Sequence, residues 1–175
     1  MLSSAFDLGE QLHLRTVEYR LYRDQWNKFT FNDFIKSFNV WHNIKYLNDD
    51  GSDFSEDIDL LPNDCGGVYM FYIECPIIIG ITEFPLYIGR AQFTANQNLR
   101  KRVREYFTHY SRSDERPKIT RMFRYWDKEL RVAFLCMEEN EQIVNLEKNL
   151  INSLLLPMND LIPDIETKEA IAAFN

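Results

Sequence analysis

Glu147 places a carboxylate beside the apolar stripe of a predicted helix. It lies four residues after Ile143 and three before Leu150, and residues at these spacings share one helix face. Taking an ionised carboxylate out of water without partners costs several kcal/mol. Glu147 must therefore pair with an arginine, bind a cation such as a metal ion, or lie at the exposed edge of the stripe. A structural pair with arginine is the commoner arrangement in proteins.

Arg102 and three tyrosines add polar groups to otherwise apolar segments. Arg102 borders the stripe of another predicted helix and shares a face with Tyr106, four residues later. Tyr69 and Tyr87 each lie within a short run rich in β-branched and aromatic residues. Taken singly, each has an ordinary structural explanation, because an arginine can cover the edge of a core and a buried tyrosine can bond its hydroxyl to a neighbour.

Other kinds of site have little support in the sequence. The histidines show neither HxxxH nor HxH spacing, which disfavours a histidine metal site; they are His13, His42 and His109. The sequence also lacks GxGxxG, GxxxxGKS/T and GxSxG, so nucleotide binding and α/β-hydrolase chemistry are not indicated.

The elements that must position these residues follow from hydrophobic spacing. Residues 66–73 and 85–89 predict an antiparallel hairpin, which is followed by a helix over residues 98–109 and a strand over residues 130–137. The helix that carries Glu147 must end before Pro157.

The acidic stretch over residues 48–63 is the best candidate boundary, because it combines turn-forming residues with few apolar ones. Before it, residues 13–22 alternate like a strand, and Asn32 can cap a short helix that carries Phe34, Ile35, Phe38 and Trp41. We expect the segment before the boundary to pack on the rest of the chain or on a partner. The predicted parts are an N-terminal accessory segment (residues 1–60), a main domain (61–163) and a short C-terminal helix (164–175).

Length and composition indicate one packed domain with a modest extension. The chain has 175 residues, of which 45% are hydrophobic and 14% aromatic. Neither a membrane span nor a secretory signal is predicted, so we expect a cytoplasmic protein. The cysteines are odd in number and lack CxxC spacing, which argues against a disulfide framework or a thiolate zinc site. We expect Cys65, Cys75 and Cys136 to be buried thiols.

Charge is distributed unevenly along the chain. The formal net charge of −7 disfavours a polyanionic partner at face value, since nucleic-acid binding depends on neutralising phosphates with Lys and Arg. Residues 86–131 nevertheless carry twelve Lys and Arg against five acids, whereas residues 49–64 carry seven acids and no base. A basic region on an acidic body is expected either for a solvated helical surface or for a nucleic-acid-binding face.

Five segments, in order, resemble the motifs of the GIY-YIG nuclease family. They are GVY at residues 67–69, YIGRA at 87–91, LRKRVREYF at 99–107, Glu147, and PMN at 157–159. The resemblance covers roughly residues 62–163 and is greatest to the incision domain of bacterial excision-repair nucleases. It implies an α/β (α+β) fold of the GIY-YIG type. This fold has a small three-stranded, mainly antiparallel sheet flanked by helices, here with an N-terminal α/β extension.

The resemblance also implies a metal-dependent DNA endonuclease, a hydrolase with one Mg²⁺ or Mn²⁺ in each active site. Glu147 would be the metal ligand. Arg102 and Tyr106 would hold the scissile phosphate, and Tyr69, with Tyr87 beside it, would act on the attacking water as a general base.

Further roles follow from the same resemblance. Asn159 would anchor the chain after the helix of Glu147 and order the site. Arg90 stands where the repair nucleases have lysine; it or the metal would lower the pKa of Tyr69 from its ordinary value near ~10. Four basic residues would bind the substrate: Arg90, Arg100, Lys101 and Arg104.

Two loops are longer than is usual in the family: the seventeen residues between Tyr69 and Tyr87, and residues 92–98. The order of parts, with the nuclease motifs last, resembles that of small free-standing restriction enzymes, so double-stranded DNA and a homodimer are expected. A structure-selective or non-specific phage or repair nuclease is an alternative, as is a non-catalytic nucleic-acid-binding module. No residue excludes RNA as the substrate, and none indicates a recognition sequence.

Overall fold

The sheet that carries the predicted motifs has four antiparallel strands in the computed structural model, which describes residues 4–174. The strands are β1 (His42–Lys45), β2 (Gly66–Glu74), β3 (Glu83–Ala91) and β4 (Leu130–Met137), in the spatial order β1-β4-β2-β3. The helices are α1 (Ala5–Leu14), α2 (Arg23–Trp26), α3 (Leu99–Ser111), α4 (Pro117–Trp126), α5 (Asn140–Leu154) and α6 (Ile165–Ala172). The protein is therefore mixed α+β, as predicted. None of the helices within residues 4–174 is long and apolar enough to cross a membrane.

The predicted hairpin, the strand over residues 130–137 and the two helices that carry Arg102 and Glu147 are confirmed. The expectation of three strands is wrong, because β1 adds a fourth from the accessory segment and pairs with β4. Ile44 of β1 lies opposite Val132, and both are buried. A strand of four residues is too short for its alternation to be recognised in the sequence.

The first forty residues differ from the prediction in one respect and agree in another. Residues 15–22 form no strand, because the helix α1 extends to Leu14 and the alternating Leu21 is exposed. The Asn32 side chain accepts a hydrogen bond from the Phe34 amide at 2.9 Å and caps a short 3₁₀ helix, Asp33–Lys36. A second 3₁₀ helix, Phe38–Val40, follows it.

The helices pack on both faces of the sheet, and each face buries alternate residues of the hairpin. Tyr69, Phe71 and Tyr87 face α3 and α4 in one apolar cluster. Val68 and Ile88 face α5 in the other cluster. Adjacent residues of one strand therefore reach opposite faces of the sheet.

Helix α4 is an element that the sequence patterns do not predict. Its buried residues are Ile119, Met122 and Phe123, at helical spacing, and Pro117 occupies its first turn, which suits a residue without an amide donor. The many basic residues of this segment concealed the apolar stripe.

The accessory segment packs on the main domain through Tyr46. Its hydroxyl donates a hydrogen bond to the Val103 carbonyl at 2.7 Å and accepts one from the Phe107 amide at 3.3 Å. The side chain is fully buried. Tyr46 thereby fixes helix α3 against the residues that follow β1.

Cys65 and Cys136 form a disulfide, so the expectation of three thiols is wrong for these two. The strand register places Gly67 of β2 opposite Cys136 of β4, and this pairing brings Cys65 close to Cys136 across 71 residues of sequence. Sequence spacing could not show this proximity. Cys75 is free.

A thiol titration in denaturant is expected to detect one thiol in protein purified without reductant, and three after reduction. The double variant Cys65→Ser/Cys136→Ser should lose about 4 kcal/mol of unfolding free energy, because a crosslink closing a loop of this length restricts the unfolded chain. Urea unfolding measures this loss, with Cys75→Ser as the control. Three reactive thiols in the unreduced protein would contradict the disulfide.

Candidate active site

Three tyrosine hydroxyls form a connected cluster between the hairpin and helix α3. The hydroxyls of Tyr69 and Tyr106 are 2.8 Å apart, and Tyr106 donates a hydrogen bond to the Tyr87 hydroxyl at 3.1 Å. All three side chains are buried. The structure therefore brings together three residues that the sequence analysis assigned to the site.

Gly89 explains how the Tyr69 ring fits over the sheet. Tyr69 and Gly89 lie opposite each other in the β2–β3 register. A Cβ atom at Gly89 would lie 2.5 Å from the Tyr69 hydroxyl oxygen and 2.6 Å from the ring carbon that bears it. Glycine is the residue that leaves this space open, so the glycine of the YIG segment has a packing reason.

Replacement of Gly89 by alanine is expected to lower the unfolding free energy by about 1–3 kcal/mol, because the new methyl group must displace the Tyr69 ring. Urea unfolding measures the loss. Gly9→Ala is the matched control, since Gly9 lies within α1 with no atom near its Cβ position. A Gly89→Ala variant as stable as the wild type would show that the Tyr69 ring does not need this space.

Arg102 brings a positive charge to the tyrosines. Its guanidinium lies over the Tyr106 ring, 5.2 Å from the centroid, and forms an ion pair with Glu105 at 2.8 Å. Burial raises the pKa of Tyr69, and the positive charge of Arg102 offsets only part of this effect. Tyr69 is therefore a neutral hydroxyl at pH 7.

Glu147 lies on the other face of β3, where it pairs with Arg90. Its side chain is 12% exposed. Burial raises the pKa of Glu147, and the charges of Arg90 and Arg102 partly counteract that rise. Arg102 thus acts electrostatically on both Glu147 and Tyr69, and the candidate site extends across both faces of β3.

Arg90 and Tyr69 lie on opposite faces of the sheet. Arg90 was expected to lower the pKa of Tyr69, but it follows Gly89 on β3 and points to the α5 face. The cation whose charge lowers the pKa of Tyr69 is Arg102.

Asn159 binds the backbone of β3. Its side-chain oxygen accepts a hydrogen bond from the Ile88 amide at 2.9 Å, and its side-chain nitrogen donates one to the Ile88 carbonyl at 2.8 Å. The Met158 amide donates to the Leu86 carbonyl at 3.0 Å. The chain after α5 therefore pairs with the edge strand in the way a neighbouring strand would, beside the YIG segment.

The three residues of α3 that were predicted to bind the substrate backbone contact other parts of the protein in different ways. Arg100 donates to the backbone carbonyls of Asp59 and Leu61, each at 2.6 Å. Arg104 lies over the Phe54 ring, with its guanidinium carbon 4.4 Å from the centroid. Lys101 donates to the Asn96 carbonyl at 2.5 Å. The side chain of Arg100 is thus engaged with the protein, and an open groove of about 450 Å³ runs past all three residues.

Arg116 is a residue of this site that the sequence analysis did not single out. It precedes α4 and donates a hydrogen bond to the Tyr87 hydroxyl at 3.4 Å, with its guanidinium carbon 5.4 Å from the ring centroid. It also pairs with Glu115 at 3.3 Å. In the sequence Arg116 was one member of a basic tract, and no spacing pattern distinguished it.

Residues 4–174 contain no group of three or more His, Cys, Asp or Glu side chains arranged to hold a metal ion. Comparisons of the chain with family models, curated proteins and solved structures find no match.

Proposed function

We propose that this protein is a metal-dependent endonuclease of the GIY-YIG type, which hydrolyses phosphodiester bonds in double-stranded DNA. The observation that carries the proposal is the assembly of the motif residues around one strand. The tyrosine hydroxyls lie on one face of β3, Glu147 lies on the other, and the charge of Arg102 acts on both.

The residues present fit a single Mg²⁺ or Mn²⁺. Mg²⁺ commonly binds one or two carboxylates and completes its shell with water and substrate phosphate. Glu147 supplies a largely desolvated carboxylate whose raised pKa reflects burial that its arginine neighbours only partly offset. Such a carboxylate is stabilised by a further cation, so Glu147 would hold the ion. When bound there, such an ion would supply Lewis-acid chemistry that polarises the phosphate and activates water.

Arg102 and Tyr69 have separate tasks in this proposal. Arg102 binds the scissile phosphate and stabilises the negative charge that develops on it. Tyr69, neutral at pH 7 because burial raises its pKa, is closed off from solvent, so it acts on the attacking water through the bonded hydroxyls of Tyr106 and Tyr87. The bonded hydroxyls of Tyr106 and Tyr87 hold Tyr69 in place. Arg102 is partly exposed and so remains accessible to a phosphate.

The proposal is tested by incubating supercoiled plasmid and linear genomic DNA with the protein in Mg²⁺ or Mn²⁺. Parallel reactions contain EDTA or the Glu147→Ala variant. Discrete fragments that disappear in both controls would support a sequence-specific enzyme such as a type II restriction endonuclease. Metal-dependent smearing would support the non-specific nuclease. Absence of cleavage on duplex, branched and single-stranded DNA would contradict the proposal and favour the non-catalytic binding module.

Replacement of Arg116 by alanine is expected to lower the maximal cleavage rate by roughly ten- to a hundredfold, because Tyr87 loses one of the two donors to its hydroxyl and small displacements in a site are costly. Steady-state cleavage of a labelled duplex measures the rate. Arg124→Ala is the matched control, since Arg124 is an exposed arginine of α4. Equal losses in both variants would assign the effect to general charge on DNA binding and contradict a role for Arg116 in positioning Tyr87.

A further inference from the structure

The loop between β2 and β3 presents four exposed isoleucines. Ile77, Ile79 and Ile81 are 73–80% exposed, and Ile78 is 50% exposed. The loop is nevertheless ordered by its own hydrogen bonds: the Cys75 amide donates to the Thr82 carbonyl at 2.9 Å, and the Thr82 hydroxyl donates to the Cys75 carbonyl at 3.1 Å. We call residues 75–82 the isoleucine loop. Its side chains are held outward by a defined turn.

An apolar groove lies next to the isoleucine loop on the α5 face of the sheet. Its volume is about 400 Å³, and its walls are Phe38, Trp41, Met70, Tyr72 and Pro85. Ile81 of the loop also lines the groove. One surface of the chain therefore combines a projecting apolar loop with an adjoining apolar depression.

This surface is large enough for a stable interface. The exposed parts of the four isoleucines and Phe38 amount to roughly 650 Å², close to the roughly 800 Å² that each partner contributes to a standard interface. Contiguous apolar patches on monomers are smaller, on the order of 300–600 Å². The area alone calls for a covering partner.

The adjacency of loop and groove favours a second copy of this chain as that partner. A two-fold axis between two copies places each isoleucine loop against the groove of the other, and this arrangement closes at two subunits. Glu83 also lines the groove, and the chain carries a net charge of −7, so an anionic lipid surface is electrostatically disfavoured.

We propose that two copies of this protein form a symmetric dimer in which the isoleucine loop of each inserts into the apolar groove beside the loop of the other. The inference rests on surface shape and chemistry, not on the proposed nuclease activity. The loop lies at the end of the hairpin remote from Tyr69 and Gly89, so the dimer leaves the candidate site open. If the nuclease proposal also holds, the dimer supplies one site for each strand of a duplex.

Sedimentation velocity of the full chain at micromolar concentration tests the interface without measuring cleavage. The wild type is expected at twice the chain mass of 20.9 kDa. The loop variant Ile77→Asp/Ile79→Asp should weaken the dimer at least about a hundredfold, as expected for removal of central apolar contacts. Asn43→Arg should do the same, because Asn43 is an exposed residue that lines the groove.

Mixing the loop variant with the groove variant Asn43→Arg tests directly whether the loop of one copy binds the groove of the other. Each variant alone lacks both loop–groove contacts, whereas a mixed dimer restores one of them, so mixing should produce dimer that neither variant forms alone. Phe6→Asp is the matched control, since Phe6 is a similarly exposed apolar residue on α1. Circular dichroism checks that every variant is folded.

Three results would overturn the interface. They are a wild type that stays monomeric, a loop variant that dimerises as well as the wild type, and a dimer that Phe6→Asp disrupts. A monomeric wild type that instead co-sediments with neutral phosphatidylcholine vesicles would assign the isoleucine loop to lipid. A cleavage-inactive protein that still dimerises as described would separate this inference from the proposed function.

Discussion

The Arg102→Leu variant is expected to cleave DNA at least about a thousandfold more slowly than the wild type, at saturating substrate. In the proposed mechanism Arg102 is the fixed cation next to the transferred phosphate, and arginines in this role contribute roughly 10³–10⁵ to phosphoryl-transfer rates. Single-turnover cleavage of a labelled duplex measures the loss. The fold should survive, because the Arg102–Glu105 pair is partly exposed and such pairs contribute at most about 1 kcal/mol.

Arg104→Leu is the informative comparison for this prediction. Arg104 lies on the same helix and borders the open groove on α3. Loss of a phosphate contact there should weaken DNA binding and reduce its salt dependence, while the rate at saturation stays near that of the wild type. If Arg102→Leu also changed only binding, the proposed stabilisation of the transition state by Arg102 would be wrong.

The parts of the fold that could be predicted are those with a strong local pattern. The hairpin and the helices α3 and α5 have apolar residues at regular spacing, and Asn98 caps α3 by accepting a hydrogen bond from the Lys101 amide at 2.8 Å. Strand β1 could not be predicted, because its four residues become a strand only through pairing with β4. The same applies to the disulfide, which depends on the register between β2 and β4.

Most residues of the candidate site could be predicted from the sequence, but the contacts between their side chains could not. Sequence spacing showed that Glu147 needs a partner and left an arginine or a metal ion open. In the structure the partner is Arg90, which lies on β3, 57 residues away in the sequence. Its charge offsets only part of the rise in the pKa of Glu147 that burial causes. Arg116 was missed for a related reason, because its contact with Tyr87 spans 29 residues and depends on how α4 packs on the sheet.

Glu147→Gln is expected to reduce cleavage by about a thousandfold or more, because an amide keeps the shape of the side chain but lacks the negative charge that a hard divalent cation requires. A second measurement does not depend on activity. Mg²⁺ or Mn²⁺ should raise the melting temperature of the wild type, since ligands that bind the folded state stabilise it, and should leave that of Glu147→Gln unchanged. Gln142→Glu is a control for general surface charge, since Gln142 is an exposed residue of the same helix.

The stability of Glu147→Gln distinguishes a functional carboxylate from a structural one. The folded-state pKa of Glu147 is raised above the ordinary value of 4.5, so the folded chain binds this proton more tightly than the unfolded chain does. Stability contributed by the protonated form is lost as pH rises through the folded-state pKa. The neutral amide avoids this loss, so Glu147→Gln should gain unfolding free energy relative to the wild type between mildly acidic and neutral pH, and gain little at pH 4.

Urea unfolding of both proteins across this pH range measures the difference. Suppose that Glu147→Gln is inactive and fails to respond to metal, yet is at least as stable as the wild type at pH 7. The lost carboxylate then serves the reaction and lowers the stability of the fold. If Glu147→Gln were markedly less stable at pH 7, the pair with Arg90 would be the main task of Glu147. The metal-dependent nuclease would then lose its only proposed protein ligand.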